Sequence, residues 1–133
     1  MADIVVFPDI LAVTVAFLNA EFAARGETAR AATKVPKTRP ARYVRLDLGG
    51  GIERNRITGE PLLIIQASAA DEPAAYGLCE LARALIRSMP ERDTIAGASV
   101  MGCTSSSLPV PFPDPDLSTP RYQATVGLLI SPA

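Results

Sequence analysis

Few residues in this chain have the types and spacing for chemistry. Ser105-Ser106-Ser107 offers hydroxyl nucleophiles, but a serine becomes nucleophilic only with a base in hydrogen-bond reach. The chain has no His, which leaves Lys34 or Lys37, both in a stretch that reads as exposed. Asp114 and Asp116 flank Pro115 like a carboxylate pair for acid–base work. In a proline-rich surface loop such carboxyls are solvated and keep ordinary pKa values. Gly49-Gly50-Gly51 follows a strand-like stretch as a phosphate loop would, yet no Lys-Ser or Lys-Thr comes after it. Nor is the next element a helix whose N-terminus could face a phosphate. Cys79 and Cys103 are isolated thiols, and without His the commonest metal ligand is missing. The residues thus predict no catalytic, cofactor-binding or metal site.

The elements that would position these residues follow from periodicity. Pro8 suits a first helical position, and Leu11, Val15, Leu18 and Phe22 recur at helical spacing up to a stop at Gly26, so a helix is expected over about 8–25. From Glu27 to Pro40 the period is lost, and a connector is expected. Arg42 to Leu48 alternates, with Val44, Leu46 and Leu48 on one side, as a half-buried strand does. The three glycines read as a turn or flexible loop, and Ile52 to Gly59 as a short strand or protruding hairpin. Leu62 to Ala67 is a continuous apolar run, expected as a central strand.

A second helix is announced by Asp71, Glu72 and Pro73. It carries Leu78, Leu81, Ala82, Leu85 and Met89 on its apolar stripe, and Glu80, Arg83 and Arg87 on the face read as solvated. Thr94 to Met101 reads as a strand of small residues, and Tyr122 to Ile130 alternates as the last strand. Between them, residues 108–120 hold five prolines and exclude a helix or an interior strand. Leu108, Val110 and Phe112 alternate with those prolines, and the segment is expected to lie along a neighbouring subunit or a tail partner with Phe112 as anchor, the alternative being a loop folded back over its own core. The predicted fold is α+β: one domain over 1–133, a mostly antiparallel or mixed sheet of four to five strands, and two helices on one face.

Composition narrows the function classes. Of 133 residues 48% are hydrophobic, enough to bury a core, and the net charge is −1. That near balance argues against a general nucleic-acid binder. No signal peptide or membrane span is expected, and the reading is a cytosolic protein with reduced thiols. Charge is unevenly spread: residues 1–24 hold three acids and no base, whereas 25–60 hold nine bases and four acids. Unlike patches favour head-to-tail contact between copies. Arg39, Arg42, Arg45, Arg54 and Arg56 form the basic group, read either as a solvated strand face and hairpin or as an interface with a subunit or partner.

Two stretches resemble a known family. Val35-Pro36-Lys37-Thr38-Arg39-Pro40-Ala41-Arg42-Tyr43-Val44-Arg45-Leu46, followed by the glycines, Arg54-Asn55 and Pro61-Leu62-Leu63, resembles the tail terminator proteins of long-tailed, non-contractile actinobacteriophages. Leu117-Ser118-Thr119-Pro120-Arg121-Tyr122-Gln123-Ala124-Thr125-Val126 is similar to that family's last strand and its lead-in. The chain departs from the family at Gln66-Ala67-Ser68-Ala69, where an aromatic is expected. The resemblance implies a virion protein, not an enzyme, that assembles with itself into a ring, as a hexamer. The ring would cap the head-proximal end of the tail tube and meet both the tail tube protein and the head–tail connector protein. DNA would pass through its lumen without specific contact. A neck or head–tail completion protein of the same particle, or a small-ligand-binding domain with a closed apolar pocket, are the alternatives.

Overall fold

Asp9 starts the first helix, because its carboxylate accepts the Ala12 N–H at 3.2 Å and satisfies one of the donors that a helix N-terminus leaves free. In the computed structural model, which describes residues 4–35, 38, 40–92, 95, 97–115 and 119–132, this helix α1 runs Ile10–Ala24. Pro8 lies ahead of the cap rather than at the first helical position. The end is a Schellman motif: the Gly26 N–H donates to Ala23 and the Glu27 N–H to Phe22 at 2.8 Å, with Gly26 at φ 72°. Ile10, Val13, Thr14, Phe17, Leu18 and Phe22 are buried, whereas Leu11 and Val15 are only half-buried. The buried face therefore differs from the expected one. A helix apolar on nearly every side gives its periodicity nothing to distinguish.

The expected connector contains a strand. β1 (Arg30–Ala32) pairs in parallel with the start of β2 (Tyr43–Asn55), and Asn19 of α1 grips its middle. The Asn19 amide donates to the Ala31 carbonyl at 3.0 Å and accepts the Ala31 N–H at 2.8 Å, standing in for a neighbouring strand. The three glycines are not a loop but part of β2. A bulge falls between Leu48 and Gly51 in its pairing with β3 (Thr58–Ser68), and Gly50 and Gly51 take φ of 107° and 140° there. The β2–β3 hairpin turns at Arg56 and Ile57, so the polar stretch after the glycines is a hairpin, as expected.

Helix α2 (Glu72–Arg87) is capped by Asp71, whose carboxylate accepts the Ala74 N–H at 2.9 Å, with Pro73 in its first turn. β4 (Ala98–Ser106) sits later than the expected strand, whose Thr94 lies outside the described residues. β6 (Arg121–Pro132) covers the expected last strand. The sheet runs β1-β2-β3-β6-β4, and a two-residue β5 (Val110–Pro111) pairs with β6. The fold is α+β as predicted, with six strands rather than four to five. The additional ones are β1 and β5, too short to show any alternation.

Register decides what each face carries. Val44 opposes Ala67, Leu46 opposes Ile65, and Leu63 and Ile65 oppose Val126 and Ala124. All are buried under the helices with Leu18, Phe22, Leu78, Ala82 and Ile86. The other face carries Arg45, Gln66 and Gln123 in a row, with Gln66 donating to Gln123 at 2.9 Å.

Candidate assembly surfaces

The five arginines do not form one patch. Arg39 lies outside the described residues. Arg42 is committed within the fold: its Nε and Nη2 donate to the Glu27 carboxylate at 3.1 and 2.6 Å, tying the entry of β2 to the end of α1. Arg45 stands on the uncovered sheet face and ion-pairs with Asp47 at 3.2 Å, without hydrogen-bond alignment. Arg54 pairs with Glu60 across the hairpin, and Arg56 is exposed at the turn. Arg45 and Arg54 are nine residues apart along one strand, roughly 30 Å of extended chain. Charge counted along the sequence missed this because a long strand separates what the count puts together.

The Arg42 pair predicts an acid response. Hydrogen bonds from Arg42 hold the Glu27 carboxyl below its ordinary value of 4.5, against the opposing effect of burial. A carboxyl with a lowered folded pKa stabilises fully above the unfolded value, and that contribution is lost as pH falls from about 4.5 through the folded value. Glu80, held low by Arg83, has the same sign. Glu27→Gln is expected to cost about 1 kcal/mol at pH 7 and to lose stability less steeply on acidification. Melting of both forms from pH 7 to 3 checks this, and parallel curves would contradict it.

The segment 108–120 is expected along a neighbouring subunit or a tail partner, but at its start the backbone of 107–112 pairs with the chain's own β6. The Ser107 N–H donates to the Thr125 carbonyl at 2.9 Å and the Phe112 N–H to the Arg121 carbonyl at 2.8 Å. Arg121 returns a bond from Nε to the Phe112 carbonyl at 2.9 Å, and its guanidinium lies 5.2 Å from the Phe112 ring centroid. The prolines fit because an edge strand tolerates a missing N–H on its outer side. The side chains are another matter: Leu108, Val110 and Phe112 are 67%, 53% and 45% exposed. Asp114 ion-pairs with Arg121 at 3.6 Å, while Asp116, its expected partner in acid–base work, lies outside the described residues.

A second exposed apolar group sits at the opposite end of the sheet. Ile4, Val6 and Ile57 are exposed there, beside Ser131 and Pro132 at the end of β6, and Ile52, exposed on the same hairpin, borders the neighbouring groove. The neighbouring hollow bounded by Phe7, Pro8, Ile10, Pro61 and Ile130 is an open surface groove, not an enclosed chamber.

Arg83 was expected on a solvated face, and the structure corrects this. It is buried, with its Nε and Nη2 on the Glu80 carboxylate at 2.8 and 2.5 Å and its Nη1 on Ser106 at 2.9 Å. It pins α2 to β4. The Glu80/Arg83 spacing is visible in sequence, but not the strand that covers it. Cys79 is buried beside it, and burial pushes its thiol up to about 12. Cys103 is half-buried, and its thiol donates to the Ser105 carbonyl at 3.2 Å. Both thiols are free. A thiol reagent is expected to modify Cys103 in the folded protein and Cys79 only after denaturation, and equal rates would contradict this. No protein-family model matches this chain, and no curated protein matches it.

Proposed function

We propose that the chain is a ring-forming structural virion protein, a tail terminator that caps the head-proximal end of a phage tail tube. The resemblance of residues 35–46 and 117–126 to that family supplies the role. The observation that carries self-assembly is the pair of unlike exposed apolar groups at opposite ends of the sheet. Ile4, Val6, Ile52 and Ile57 lie at the hairpin end, and Leu108, Val110 and Phe112 beside the far end of β6. Apolar side chains grouped on a surface mark contact sites. Where the two groups differ, a copy meets the next head to tail, and such contacts close into a ring when the rotation permits. In this reading the ring, with six copies, stops tube polymerisation by covering the last ring of tail tube protein. It presents its other side to the head–tail connector protein, and DNA passes through the lumen.

The test is a capping assay. Added to polymerising tail tube protein, the chain is expected to shorten the tubes and to be found at one tube end. Binding to a portal-side ring with no effect on tubes would instead assign it to the neck of the particle. Binding to neither would refute the virion role.

A further inference from the structure

The two flanks of the sheet are protected over one half of their length and open over the other. At one end, β1 covers β2 at Tyr43 to Arg45, and β5 covers β6 at Tyr122 and Gln123. Opposite them, β3 presents Gln66, Ala67 and Ser68 to both sides, so the two short strands flank the same level of the sheet. The outward edges of this half are blunted. Asn19 occupies both backbone groups of Ala31 on β1, and Pro109, Pro111 and Pro113 deprive the β5 segment of donors.

The other half lacks these devices. β2 from Leu48 to Asn55 pairs with β3 on its inner side, and among the described residues no strand pairs with its outer side. β4 pairs with β6 along its length. Among the described residues its outer side is paired only at Ala98, whose N–H and carbonyl are both taken by Ile95, so the edge from Ser99 to Ser106 has no strand beside it. Its nine residues, Ala98–Ser106, include no charged side chain, although charge is the usual guard of a sheet edge. The two open edges are also level with each other. Leu48 opposes Leu63, which opposes Val126, which opposes Ser106. At the other limit Glu53 opposes Gly59, which opposes Ile130, which opposes Val100. Three antiparallel pairings separate β2 from β4, so the two edges run in opposite directions.

We propose that the outer edge of β4 pairs antiparallel with the outer edge of β2 of a second copy, joining successive sheets into one continuous band. This rests on the ring-assembly reading and refines its contact. Unlike surfaces still meet head to tail, but the flank of β4, with the β5 group beside it, meets the flank of β2 that carries Ile52, rather than one end of the sheet meeting the other. Because the edges are level, the join needs no slip along the strands, which is the condition for a closed ring rather than an open helix. The bulges in both strands, between Leu48 and Gly51 and between Val100 and Gly102, supply the bend that a closed band requires. Met101 and Ile52, 47% and 63% exposed, fall at nearly the same level and are covered together by the join.

Hydrogen exchange of the assembled protein, against the same protein diluted to monomer, tests the contact. Amides of 99–106 and 48–55 are expected to exchange more than about tenfold slower in the assembly, with 30–32 unchanged. An assembly in which 99–106 and 48–55 exchange as in the monomer overturns the edge pairing while leaving ring formation intact. A protein that never assembles overturns both. Met101→Lys, verified as folded by circular dichroism, is expected to weaken assembly at least about tenfold, and adding Ile52→Glu to restore it. Undiminished assembly of the single variant overturns the proposal.

Discussion

Replacing Gly51 with alanine is expected to destabilise the fold by about 3 kcal/mol or more, lowering the melting temperature by roughly 10 °C. Two effects combine at this position. Its φ of 140° lies where side-chain-bearing residues are strained, and a Cβ there would stand 2.6 Å from the Glu60 carbonyl oxygen and 2.8 Å from the Pro61 Cα. Both close atoms belong to backbone inside the β2–β3 pairing, so neither can move aside cheaply. Gly50→Ala meets nothing within 4 Å and suffers only the strain of its φ of 107°. Gly77→Ala, in an open position on α2, is expected to stabilise by about 0.5–1 kcal/mol. Thermal melts of the three variants rank them, and a harmless Gly51→Ala would mean that the glycine run is a flexible loop.

Phe112→Asp is expected to abolish assembly while changing monomer stability by less than about 1 kcal/mol. The backbone of the segment keeps its bonds to β6, and the side chain lost is 45% exposed and contacts Arg121 across its open side. A carboxylate there still pairs with the Arg121 guanidinium, but it brings a charge into a contact that is otherwise apolar. Melting of the dilute variant and its mass at assembling concentrations give the two readouts. A collapse of monomer stability with unchanged assembly would show that Phe112 covers its own core.

The elements that could be read from the sequence are those in which one physical signal acts alone. α2 announces itself through Asp71, Pro73 and a stripe of apolar residues, and it begins where those residues place it. It ends at Arg87, however, and Met89 and Pro90, expected at its end, form a separate 3-10 turn over Met89–Glu91. β3 and β6 are long and apolar or alternating, and they form the centre of the sheet. β1 was invisible because its three residues are strand only through Asn19 and β2, one from a preceding helix and the other from a later strand. The glycines were misplaced because a turn and a bulge ask for the same backbone freedom. Arg83 was misplaced because burial of a charge depends on partners, Glu80 and Ser106, of which only the first is near in sequence. Of the candidate contact residues, Phe112 and Arg56 are exposed and Arg42 is held by Glu27, a distinction that residue type alone does not carry.

Head-to-tail closure is the claim on which the functional reading depends, and native mass spectrometry of the purified protein measures it directly. Unlike surfaces at opposite ends of the sheet predict a single closed species of six copies, persisting from low to moderate salt because much of the contact is apolar. Disassembly should proceed by loss of single subunits, since each copy makes the same two contacts. A protein that remains strictly monomeric at high concentration in both salts, or that stops at a dimer using the same patch on each copy, would contradict it.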